Sequence, residues 1–131
     1  MDAAYRIIEH DIGGGSSVLV LSPDGRDDFL SKMKARRGDR SRYRLIVRAV
    51  SRLVQRGEAP FRETMVRVLD SELSLIEIKV PGQVIRVMAY RGEKLVLLFD
   101  FDGHQGSGKI ATKDLERGRT LAKHAKRALE D

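Results

Sequence analysis

Arg86 stands inside an apolar run, residues 84–90, where a charge needs a reason. In a strand, successive side chains alternate between faces, so Ile85, Val87 and Ala89 share one face and Val84, Arg86, Met88 and Tyr90 the other. A guanidinium with apolar neighbours is costly unless it is paired or reaches water. Three readings are open: Arg86 lies on a solvated sheet face, it pairs with Glu77 or Asp100, or its planar fork holds a phosphate or other anion. Glu77, between Ile76 and Ile78, reads as a structural partner for a basic group on a neighbouring strand. After Phe101 comes Asp102-Gly103-His104-Gln105-Gly106-Ser107-Gly108-Lys109, which is too glycine-rich for regular structure and borders the strand next to Arg86. Polar loops beside a sheet are usual places for binding or chemistry. His104 suits general acid–base work near neutral pH, and equally a plain surface position. Lys109 suits a phosphate. Gly106-Ser107-Gly108-Lys109 is not a nucleotide P-loop, because the spacing is incomplete and no Ser or Thr follows the lysine.

A second set of charges lies upstream. Arg40, Arg44, Arg48, Arg52 and Arg56 recur every four residues, with Arg42 beside them. The same stretch carries Tyr43, Ile46, Val47, Val50, Leu53 and Val54 at the spacing of one helical face. The result is a helix from about 39 to 56 with an arginine stripe on its outer side. Like charges at that spacing repel mildly. The stripe is either a solvated basic face or a surface for nucleic acid or an acidic partner, and its length and lack of acids favour binding.

These side chains must be held by a sheet. Three β-prone runs, 73–80, 84–90 and 94–101, are joined by Pro81-Gly82-Gln83 and Arg91-Gly92-Glu93, the signature of an antiparallel meander. A further strand is expected at 64–69, a short one at 18–21 and another short one at 5–8. Gly13-Gly14-Gly15-Ser16-Ser17 reads as a flexible connector. A first helix is expected from the Ser22-Pro23-Asp24 start to about Arg37, with Ser22 as N-cap. A last helix, capped by Thr112, runs to about Leu129 and buries Leu115, Leu121, Ala122, Ala125 and Leu129. The expected architecture is an α+β domain with its helices on one sheet face. Residues 1–17 read as an N-terminal extension or extra strand with a Gly-rich connector, and residues 18–131 as a single domain.

At 131 residues the chain is long enough for a real core. Lys and Arg outnumber Asp and Glu by 25 to 19, a net charge of +6 that favours an acidic partner, nucleic acid first. Cysteine is absent, so disulfides and thiolate metal sites are excluded, in keeping with a cytoplasmic protein. No run approaches the ~20 apolar residues of a membrane span, and the acid-bearing N-terminus does not read as a signal peptide.

The element order β-α-α-β-β-β-α, with an arginine on a central strand, resembles the RelE/ParE superfamily of bacterial toxins, in its HigB-like, phage-derived branch. The resemblance rests on Glu77-Ile78-Lys79, on Ile85-Arg86-Val87-Met88-Ala89-Tyr90, on Val96-Leu97-Leu98-Phe99-Asp100-Phe101, and on Pro23 with the acids after it. It covers roughly residues 17–130. It implies a RelE-like fold: an antiparallel (mixed) β-sheet with two N-terminal helices and a C-terminal helix packed on it. It also implies the toxin of a type II toxin–antitoxin pair, a metal-independent mRNA endonuclease that needs no cofactor. Its partners would be the ribosome, mRNA and an acidic antitoxin. By that resemblance Arg86 stabilises phosphate charge as the ribose 2′-OH attacks, and Tyr90 stacks on a base or helps proton transfer, with His104 and Lys109 in support. The family's lysine-rich loop is replaced here by residues 104–112. A non-catalytic relative, such as a DNA gyrase inhibitor, shares the same pattern.

Overall fold

A computed structural model of the protein describes residues 5–55, 65–103 and 109–131. The chain opens on a β-hairpin, β1 (Arg6–Gly13) and β2 (Ser16–Ser22). Gly13, Gly14 and Gly15 all have positive φ, 91°, 63° and 77°, so the triple glycine makes the tight turn of this hairpin. Next come α1 (Phe29–Ala35), a short 3₁₀ turn over Arg37–Asp39, and α2 (Arg40–Gln55). After β3 (Val66–Asp70), β4 (Leu75–Lys79), β5 (Ile85–Arg91) and β6 (Leu95–Asp102), the chain ends in α3 (Thr112–Glu130).

All six strands belong to one sheet in the order β1-β2-β6-β5-β4-β3. Only β2 and β6 are parallel, paired at Leu19–Val96 and Val20–Leu97; the other neighbours are antiparallel. Strand alternation splits the core in two. Ile76, Ile78, Ile85, Val87, Ala89 and Leu97 pack with Leu30, Met33, Ile46, Val50 and Leu53 of α1 and α2. Leu75, Met88, Tyr90, Val96, Leu98 and Phe99 pack with Leu121, Ala122 and Ala125 of α3. A sheet covered on both sides needs both sets of residues to be apolar, and β4 and β5 therefore read as near-continuous buried runs.

The structure corrects the expected architecture. The chain does not form the RelE-like arrangement opening on two helices: a hairpin comes first, all three helices lie C-terminal to it, and the sheet has six strands. The helices do not share one face of the sheet. The α1–α2 pair covers one side and α3 the other. The physical reason is the alternation itself: both faces of β4, β5 and β6 carry apolar side chains along most of their length, and each face needs a cover.

Two helix starts also differ. The first helix begins at Phe29 rather than near Ser22, with Asp28 as its N-cap accepting from Ser31 N–H at 3.0 Å. Residues 22–27 form a polar turn instead. The Asp24 carboxylate accepts from the backbone N–H of Asp27 and Arg26 at 2.9 and 2.8 Å, and Gly25 sits at φ 78°. Side-chain acceptors of this kind compete with helix formation. At α3, Thr112 is the first helical residue and Ala111 holds the cap position, without a side-chain cap bond. No helix among the described residues is long and apolar enough to cross a membrane.

Candidate functional site

The β4–β5 hairpin places Lys79 directly opposite Arg86. Both point to the α3 side of the sheet, in phase with Leu75 and Glu77 on β4 and with Met88 and Tyr90 on β5. Both are half-buried. Directly opposed like charges on neighbouring strands are destabilising. No carboxylate among the described residues forms an ion pair with either one. Asp100 is taken by Arg42 at 2.6 Å and Glu77 by Arg67 at 3.3 Å. Arg86 Nη1 donates to the carbonyls of Gln83 and Ile85 at 2.8 and 3.0 Å, which fixes one edge of the guanidinium and leaves its other donors to point elsewhere.

Gly103 closes this corner. Its N–H donates to Val84 O at 2.7 Å, which anchors the end of β6 to the start of β5. A Cβ at Gly103 would lie 3.2 Å from Arg86 Nε and 3.4 Å from Cζ, so a side chain at this position would crowd the guanidinium. On the other flank Phe101 pairs with Arg86 across β5–β6 and packs at the edge of the α3-side core. Lys79, Arg86 and Phe101 are thus neighbours across three strands, on one face and at the end of β6. Lys79 was not singled out from the sequence. The signal was there: counting back from the Pro81-Gly82 turn pairs it with Arg86, on the same face.

The other expected site residues are dispersed. Tyr90 is buried four residues along β5, ~13 Å from Arg86 at strand rise, and its hydroxyl lies against Gly92. It reaches neither a base nor a proton at the Lys79–Arg86 corner. Lys109 is exposed and partnered. His104 lies outside the described residues, as does Arg56. Arg40, Arg44, Arg48 and Arg52 are all exposed along the outer side of α2, on the opposite side of the sheet from Arg86. Arg42 leaves that stripe and turns inward, binding Asp100 through Nε at 2.6 Å and Asp102 through Nη1 at 2.8 Å. Burial pulls the Arg42 pKa down, but the hydrogen bonds to Asp102 and Asp100, with their charges, outweigh it and hold the guanidinium above its ordinary value.

A Ser–His–Asp set also occurs, where β1 meets α1. His10 Nε2 lies 2.8 Å from Asp28 Oδ2 and 3.4 Å from Ser31 Oγ, and Ser31 Oγ donates to Asp28 Oδ2 at 3.0 Å. A nucleophilic triad needs the two ring nitrogens divided between acid and serine. Here one nitrogen serves both, so the set is a helix cap tied to the hairpin. Glu77 is 2% exposed, and its Oε1 has no hydrogen-bond partner among the described residues. Its other oxygen holds Arg67, so its position is structural, as expected from the alternation.

Compared with known protein families, with characterised proteins and with experimentally determined structures, the chain finds no match.

Proposed function

We propose that this protein is a cytoplasmic endoribonuclease that cuts mRNA and stops translation, the toxin of a toxin–antitoxin pair, with Lys79 and Arg86 as its phosphate clamp. The observation that carries the reading is the register: Lys79 and Arg86 are cross-strand partners on one face of the sheet, neither in an ion pair with a carboxylate among the described residues, with Gly103 beside the Arg86 side chain. A bound phosphate offsets their repulsion, and its charge grows in the reaction. When the ribose 2′-OH attacks the adjacent phosphorus and the 5′-oxygen leaves, the phosphoryl oxygens gain negative charge. Preorganised cations stabilise that state more than the ground state. Arg86 presents its remaining N–H donors as a fork, Lys79 a point charge, and Phe101 an apolar face for a neighbouring base. Tyr90 has no part in the chemistry. Water takes the proton from the 2′-OH as the P–O bond forms, and water returns a proton to the 5′-oxygen as its bond to phosphorus breaks.

The test is growth in a bacterial host with mRNA 5′ ends mapped in parallel, comparing wild type with Arg86→Ala and Lys79→Ala. Wild type is expected to arrest growth and create new 5′ ends. Each substitution is expected to lower cleavage by about 100-fold, the scale of removing one oxyanion donor. Circular dichroism of the purified variants checks that both fold. Arrest without new mRNA ends identifies instead a non-catalytic inhibitor, such as one acting on DNA gyrase. Cleavage that survives both substitutions removes the clamp.

A further inference from the structure

The charge of this protein is concentrated in one layer. Residues 29–55, which span α1 and α2, hold nine Lys or Arg and one Asp, a net +8. The whole chain carries +6, so everything outside that layer sums to −2. The other helix does not compete: residues 112–131 hold six basic and four acidic groups, a net +2. Within α2, Arg40, Arg44, Arg48 and Arg52 are exposed, and none pairs with a carboxylate among the described residues. They follow one another at ~6 Å along the axis, four residues at helical rise. The inner side of the same helix is buried on the sheet through Ile46, Ala49, Val50 and Leu53, so the spacing is rigid.

We propose that the α1–α2 layer is a docking surface for folded RNA, distinct from the Lys79–Arg86 corner and separated from it by the sheet. This rests on the reading above that the target is RNA. Charge complementarity selects a polyanion, because a ligand that carries several negative charges offsets the mutual repulsion along the whole stripe and releases its own counterions. The composition of the stripe selects folded over single-stranded RNA. Single-strand grooves depend on aromatic side chains that stack on bases. The only aromatic residue of α2 is Tyr43, which is partly buried against the core. What remains exposed is a row of guanidiniums, suited to the phosphates of an RNA helix recognised by shape. One protein then grips two RNA elements at once, a structured one on α2 and a cleavable strand on the opposite face.

The experiment measures binding of the full chain to two probes: a folded RNA hairpin, and a short unstructured oligoribonucleotide made uncleavable by 2′-O-methylation. The variants are Arg44→Glu/Arg48→Glu, a control Lys123→Glu/Lys126→Glu with the same charge change on α3, and Arg86→Ala. At about 0.1 M salt the α2 double variant is expected to lose at least about tenfold in hairpin affinity, with the slope of log K against log salt falling by roughly 1.5. It is expected to hold the short strand within about twofold of wild type. Arg86→Ala is expected to do the reverse, which separates failure of this surface from failure of the clamp. Equal losses in the α2 and α3 variants overturn the proposal, since net charge alone then explains binding. Wild type that ignores the hairpin, even at low salt, also overturns it, and directs the search to an acidic protein partner.

Discussion

The Asp24 carboxylate gathers two backbone N–H bonds, from Asp27 and Arg26, while the Ser22 hydroxyl lies 3.1 Å from Oδ1 and donates to the Asp27 carbonyl at 2.7 Å. These bonds favour the charged form and lower the Asp24 pKa from 3.8 to about 2, against a small opposing effect of burial. A folded pKa below the unfolded one contributes stability that is present above about pH 4 and is lost as pH falls through about 2. The Asp24 carboxyl is therefore expected to titrate near pH 2 by NMR. In Asp24→Asn, which keeps a weaker acceptor and no charge, the fall in stability between pH 4 and pH 2 is expected to be shallower than in wild type. A titration midpoint at or above 3.8 would remove the account of why the first helix starts late. The same turn explains an expectation that failed. Ser22-Pro23-Asp24 has helix-start chemistry, and Asp28 four residues later has it too. Gly25 at positive φ and the Asp24 side-chain bonds decide for the later one. That contest is settled by backbone geometry, which residue types alone do not show.

Among the elements, α3 depends on one close approach. A Cβ at Gly118 would lie 3.0 Å from Met88 Cγ and Sδ and 3.2 Å from Leu75 Cδ2, so the helix lies against β4 and β5 with no room for a side chain. Gly118→Leu is expected to destabilise the fold by about 1–3 kcal/mol through overpacking, read as a lower urea midpoint at unchanged slope. A neutral result would mean that α3 slides on the sheet. Element identity was legible wherever a period persists: the Ile46, Val50 and Leu53 stripe marked α2, and the strand runs marked the meander. The choice of sheet face was not, because each helix stripe says only that it is buried. It takes the long-range parallel pairing of β2 with β6 to bring both helix layers around one sheet. Likewise, three glycines read as a connector by composition, whereas pairing of β1 along β2 makes them a turn. At the site, Arg86 was conspicuous as a charge among apolar neighbours. Lys79 was not, since its meaning comes only from the register across the turn.

For the whole molecule, two cationic regions on opposite sides of one sheet raise the question of what connects them. Arg42 is the one arginine of α2 that turns inward, and it binds Asp100 and Asp102 at the end of β6, just before Gly103. Asp100 and Asp102 lie on the α2 side of β6, while Phe101 between them flanks Arg86 on the α3 side. Arg42 therefore fixes the end of β6 from the α2 side, and Gly103, held to Val84, lies against the Arg86 side chain. Removing Arg42 leaves two carboxylates close together without their shared cation. Arg42→Ala is expected to cost about 1 kcal/mol of stability, the scale of partly exposed pairs. Its larger effect is expected on cleavage, which should drop severalfold while hairpin binding stays within about twofold of wild type, because Arg42 is a positioning residue and not part of the exposed stripe. Arg42→Lys should restore stability only in part, since a single ammonium does not present the two separated donors that Nε and Nη1 supply. Equal loss of binding and cleavage in Arg42→Ala would place Arg42 in the docking face itself. Loss of neither would mean that the two sides of the sheet act without a connection through β6.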